Sequence, residues 1–227
     1  AFSPKRIADY ATAMVRVGDV ALGRWRDGAT TNLHREMSRL TMEVVADVLF
    51  GASMDAATVA DVGGAMEVAN EFFSGRPEAM LKVPKWVPTR GNGRMNRAVA
   101  TLDRVVYDIV ARRREREGEA RTDLLATLLA ARDDDGAGMS DLQLRDEVMT
   151  LFLAGHETTS LALAHALYLL ALHPAIERRL QGEVDEVLGG RLPTADDARS
   201  LPLTEWVLKE TMRLYPPAWA TGRETTE

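Results

Sequence analysis

Val148 to Leu172 reads VMTLFLAGHETTSLALAHALYLLAL, and its reading decides the fold. Val148, Leu151, Phe152, Leu163, Leu167 and Leu170 fall at the spacing of one helical face. The opposite face, with Leu153, Ala154, Leu161, Ala164 and Tyr168, is nearly as apolar. A helix apolar all round is expected to be buried. Its middle nevertheless carries His156, Glu157, Thr158 and Thr159, where polarity is costly unless something satisfies it.

The run is long enough to cross a bilayer. Glu157 at mid-span, His156 and His165, and the lack of an aromatic belt at either end argue against a span. A zinc site is the next reading, since His156-Glu157 opens an H-E-x-x-H pattern. That motif needs a second His one turn on, and position 160 is Ser, so it fails. What remains is Ala154-Gly155-His156-Glu157-Thr158-Thr159. Ala154 lies one turn before Thr158, and Gly155 adds a further missing side chain, so a shallow recess forms beside an acid and a hydroxyl. The Thr158 hydroxyl either bonds back to the Ala154 carbonyl or turns elsewhere and lets the helix bend around a small guest. Acid plus alcohol beside a small apolar recess suits proton delivery to a bound oxygen species.

Around this helix the chain of 227 residues reads as one domain, 1–227, with no linker separating two cores. Net charge is −6 with both signs interspersed, which argues against nucleic acid. The run from Arg112 to Glu117 reads as a solvated helix end with an Arg113–Glu117 pair. With no cysteine the chain has no disulfide and no thiolate metal ligand. It starts in what reads as mid-domain, without initiator Met, signal peptide or membrane anchor, and ends at Glu227 without a stop signal. A cytoplasmic fragment is therefore expected.

Helical periodicity predicts helices over about 5–27, from an Asn32 cap to Gly51, over 55–73, over 94–117, and from a Thr122 cap to Leu129. Ser140, with Gln143 three residues on, caps the central helix. Pro174 opens the next, ended by Gly189-Gly190, and 203–214 is the last, followed by Pro216-Pro217. The segment from Gly75 to Gly93, with Pro77, Pro84, Pro88 and Trp86, reads as a connection, either a mobile lid or an ordered loop. Residues 218–221 could begin a strand; nothing earlier alternates convincingly, so the fold is mainly α.

The last helix carries Glu210 and Arg213, three residues apart and facing each other. Exposed, such a pair means little. Buried, breaking it costs about 3–5 kcal/mol because it leaves an uncompensated charge. Arg213 has more donors than one carboxylate can use, so a third partner is expected.

Ala154-Gly155-x-Glu157-Thr158-Thr159 in a long helix, then Glu210-x-x-Arg213 and Tyr215-Pro216-Pro217, resembles the cytochrome P450 haem-thiolate monooxygenases. The resemblance covers 1–227 as the middle of a partial cytochrome P450 fold around a long central helix. It implies haem b in a full-length parent, with Ala154 and Gly155 flanking the dioxygen site. Glu157 and Thr158 would be the acid and alcohol that relay protons. Glu210 and Arg213 would be a structural ion pair serving folding and haem-pocket assembly, and Arg223 a haem-propionate partner. Residues 72–94 would form a mobile roof over the substrate channel. The remaining expected partners are a small apolar substrate, O2, and an electron donor (a ferredoxin or flavin reductase).

The family's proximal cysteine is missing here, as is an earlier helix bearing another propionate partner, so no metal ligand lies in this chain. Half a monooxygenase site, inactive alone and with no secure cofactor of its own, is the expectation. The rivals are a haem-free helical ligand-binding or scaffold protein and a membrane-inserted helical protein.

Overall fold

A computed structural model describes residues 4–51, 55–74, 87–115, 123–220 and 223. Within these residues the chain is helical, in the order α1 (Pro4–Leu22), α2 (Leu33–Phe50), α3 (Ala56–Ser74), α4 (Arg90–Glu115), α5 (Leu124–Ala130), α6 (Asp141–Leu172), α7 (Pro174–Leu188) and α8 (Pro202–Leu214), with a 3₁₀ helix at Ala195–Ser200 before α8. The one β pairing among the described residues is an isolated bridge between Arg132 and Gly138.

Local chemistry explains the bounds. Asn32 Oδ1 accepts from Arg35 N at 3.0 Å and starts α2, and Gly51, at φ 55°, follows its end. Asp55 Oδ1 does the same for α3 through Thr58 N at 2.7 Å. Ser140 Oγ accepts from Gln143 N at 3.2 Å at the start of α6. Pro174 occupies the first turn of α7, and Gly189 takes the left-handed conformation at its end. Between α6 and α7 the chain bends by 114°.

Several expectations need correction. Helix α1 ends at Leu22, five residues before Asp27, because Gly23 to Trp25 close it in turns onto Asp19, Ala21 and Leu22 carbonyls. Helix α4 starts at Arg90 and not Arg94: Thr89 Oγ1 accepts from Asn92 N at 3.1 Å, and Asn92 Nδ2 donates to Val87 O at 2.9 Å. A cap made from these side chains overrides two glycines that read as breakers. Asp123 caps α5 through Ala126 N at 2.9 Å, where Thr122 was expected; Thr122 itself lies outside the described residues. No strand forms over 218–220. Most of the proposed lid or roof, and Glu117, also lie outside the described residues. Arg113 pairs with Asp123, and both side chains are nearly buried, whereas Arg112, Arg114 and Glu115 are exposed, so this helix end is solvated except at Arg113.

The chain divides into two compact units, Leu49–Leu153 and Ala1–Val48 with Ala154–Glu227. In Leu49–Leu153, α3 packs on α4, with Val62, Met66, Leu102, Val106 and Leu125 inside. In the other unit Met42, Val45, Ala46 and Ala164 are buried, and the 3₁₀ helix packs with α1, α7 and α8. No single described helix is long and apolar enough to cross a membrane.

Candidate active site

Helix α6 is not buried all round. Val148, Phe152, His156, Ser160 and Ala164, four residues apart, form its buried stripe. Ala154 and Thr158 are exposed, so the small residues singled out by the sequence form an open side. The reason is positional: they lie opposite the stripe.

The Thr158 hydroxyl donates to the Ala154 carbonyl at 2.8 Å, so the back-bonded alternative is the one adopted and α6 runs unbroken. Glu157, half-buried, is next to it in sequence, and its carbonyl accepts from Ser160 Oγ at 2.8 Å. Gly155 faces α2: a Cβ built there would stand 3.3 Å from Val45 Cγ2. Ala154 and Thr158 are thus brought together, with Glu157 beside them.

His156, read in the sequence only against a zinc motif, is 3% exposed and its Nε2 lies 3.0 Å from Ser38 Oγ. Burial pushes its pKa down; hydrogen bonding to the Ser38 backbone opposes this, and the charge of His34 adds to it. His165 stacks on Tyr215 with ring centroids 4.8 Å apart and 25° between planes. Its Nδ1 is buried without a hydrogen-bond partner among the described residues. Among the described residues no cluster of His, Cys, Asp or Glu could hold a metal ion.

On α8, Arg213 Nε donates to Glu210 Oε2 at 2.7 Å and Nη2 to Oε1 at 2.6 Å, a two-pronged pair. Its side chains are 54% and 66% exposed, so in this chain it is the exposed kind. The Arg213 guanidinium holds the Glu210 carboxyl below the usual carboxylate range. Arg223 is exposed in irregular chain.

The sequence model described as cytochrome P450 matches residues 1–227. The chain belongs to the cytochrome P450 family. It is 38% identical over 226 residues to cyclooctat-9-en-7-ol 5-monooxygenase of Streptomyces melanosporofaciens, covering 99% of this chain and 49% of that protein. It is 35% identical to pentalenene oxygenase of Streptomyces avermitilis, over 99% of this chain and 50% of that one. Among solved structures, retinoic acid-bound cyanobacterial CYP120A1 superposes with a TM-score of 0.79 at 27% identity, covering 96% of this chain and 47% of that one. The chain spans about half the length of the curated P450 relatives it matches.

The open side of α6 offers what the face of a flat macrocycle such as haem needs: Ala154 projects only a methyl and Thr158 supplies one hydroxyl, while Gly155 is turned toward α2. With no cysteine the chain offers no thiolate for the iron's other face. The residues present fit one side of the group.

Proposed function

We propose that this chain carries the oxygen-activating side of a haem-thiolate monooxygenase acting on a small apolar substrate. One oxygen atom of O2 enters an unactivated C–H bond as hydroxyl. The other leaves as water, consuming two electrons and two protons from a ferredoxin or flavin reductase and solvent. The observation that carries this reading is the exposed Ala154–Thr158 side of α6, opposite its buried stripe, with the Thr158 hydroxyl held on the Ala154 carbonyl.

Bound haem would supply the redox centre at which dioxygen is reduced. The chain's own residues do the rest. Ala154 leaves room for a diatomic guest, and Gly155, flanking it, lets α2 pack close behind. The Thr158 hydroxyl can exchange its internal bond for one to that guest and pass it a proton. Glu157 replenishes that proton from solvent, which its half-buried position allows. Arg223 would pair with a haem propionate. Glu210 and Arg213 hold each other in a fixed fork, and Arg213 keeps donors for a further acceptor.

The relatives' names, a monooxygenase of a cyclic alcohol and an oxygenase, support a compact hydrocarbon-like substrate. The chain alone is proposed to be inactive, since the thiolate must come from elsewhere. The test adds haem, reductant and carbon monoxide to two proteins: this chain, and a form lengthened to match its relatives. The lengthened form should show the thiolate-type Soret band and this chain should not. A lengthened form that folds and binds no haem would overturn the proposal in favour of a ligand-binding or scaffold protein.

A further inference from the structure

We propose that His156 is a positioning residue: its bond to Ser38, together with the close approach of α2 at Gly155, fixes the rotation of α6 and so turns Ala154 and Thr158 to the open side.

Successive residues of an α-helix are about 100° apart, so Ala154 and Thr158, two residues either side of His156, lie about 200° from it in each direction. They straddle the side of α6 opposite His156. Whatever fixes the direction of His156 therefore fixes theirs. That direction is held by Ser38 of α2, whose Oγ is 3.0 Å from His156 Nε2. Val45 is two turns further along the same face of α2 and meets α6 at Gly155, where an added Cβ would come within 3.3 Å. Gly155 thus lets α2 come close, and the His156–Ser38 bond sets the angle.

An ordinary core residue does not explain this arrangement. Apolar packing is non-directional, and the apolar residues of α6 cover several faces, so packing alone leaves the rotation of the helix weakly specified. A buried imidazole is costly unless it is bonded, and a hydrogen bond weakens steeply as its angle opens. His156, 3% exposed, therefore penalises every rotation of α6 that separates it from Ser38. Leu or Phe would fill the space without that penalty.

The inference rests on the monooxygenase reading only for what the open side is used for. Its test uses this chain without haem. Because the chain has no cysteine, Ala154→Cys and Ser160→Cys each create a single thiol, one on the exposed side and one at a position 1% exposed. Maleimide should label the first much faster than the second. Adding Ser38→Ala or His156→Phe should lower that ratio by about three- to tenfold, the weight of one net hydrogen bond, with far-UV circular dichroism unchanged. His156→Gln, whose amide can reach Ser38, should keep it. Should His156→Phe lose its helix signal, the Ser38→Ala result decides. An unchanged ratio in Ser38→Ala with the helix signal intact overturns the proposal. A lowered ratio stands even if the oxygen-activation reading fails in the lengthened enzyme, so the two failures are distinguishable.

Discussion

Glu183 of α7 caps the start of α8 through Thr204: its Oε2 accepts from Thr204 N at 3.0 Å and from Thr204 Oγ1 at 2.9 Å, while Oε1 accepts from Leu203 N at 2.7 Å. A carboxylate from a neighbouring helix thus does the work of an N-cap, because Leu201 at the cap position has no side-chain acceptor. The helix so held carries Glu210 and Arg213.

Glu183→Ala should lower the thermal midpoint by roughly 2–4 °C, the scale of one lost cap in a chain of this length. Glu183→Gln should recover part of it. Burial pushes the Glu183 carboxyl up, and the donors from Leu203 and Thr204 together outweigh that and hold it below the usual range. The stabilisation is therefore present above the unfolded Glu pKa and lost as pH falls through the lower folded value. Thermal scans of wild type and Glu183→Ala should converge in acid.

Asp123 should be the more costly acid to lose. It caps α5 through Ala126 N at 2.9 Å and also holds the nearly buried Arg113. Asp123→Ala removes both at once and should cost about 3 kcal/mol or more in urea unfolding, whereas Asp123→Asn, which keeps an acceptor, should cost less. Equal stability in all three proteins would rule out this double role.

His156 should give the chain a mild acid sensitivity. Burial, first, sets its folded pKa below the unfolded value of 6.5, so its contribution is full above that value and is lost as pH falls through the folded one. Between pH 7 and pH 5, His156→Gln should lose less stability than wild type. Parallel losses would show that another group titrates.

Most of the fold was legible because helices announce themselves locally. Asn32, Asp55, Ser140 and Pro174 start helices where they were expected to, since a cap is a short-range event. The failures share a cause. Gly91 and Gly93 looked like breakers, yet Thr89 and Asn92 hold the first turn of α4. The polar centre of α6 was legible as a conflict, and the Thr158 back-bond was one of its two readings. What could not be read were bonds over long sequence separations: Ser38 to His156, Glu183 to Thr204, and the His165–Tyr215 stack. No periodicity or spacing rule links such residues; only the packed chain does. Whether Glu210–Arg213 is exposed or buried was open for the same reason, and here it is exposed.

The central claim is that Thr158 delivers protons during oxygen activation, and Thr158→Ala in a haem-loaded form of relative-like length tests it most directly. The measurement is product and peroxide formed per electron pair consumed, beside Thr158→Ser, which keeps the hydroxyl. The account expects Thr158→Ala to consume electrons, release peroxide and lose about 10²-fold or more in product, the scale of one general-acid contribution, with Thr158→Ser close to wild type. Product per electron pair unchanged in Thr158→Ala would contradict it.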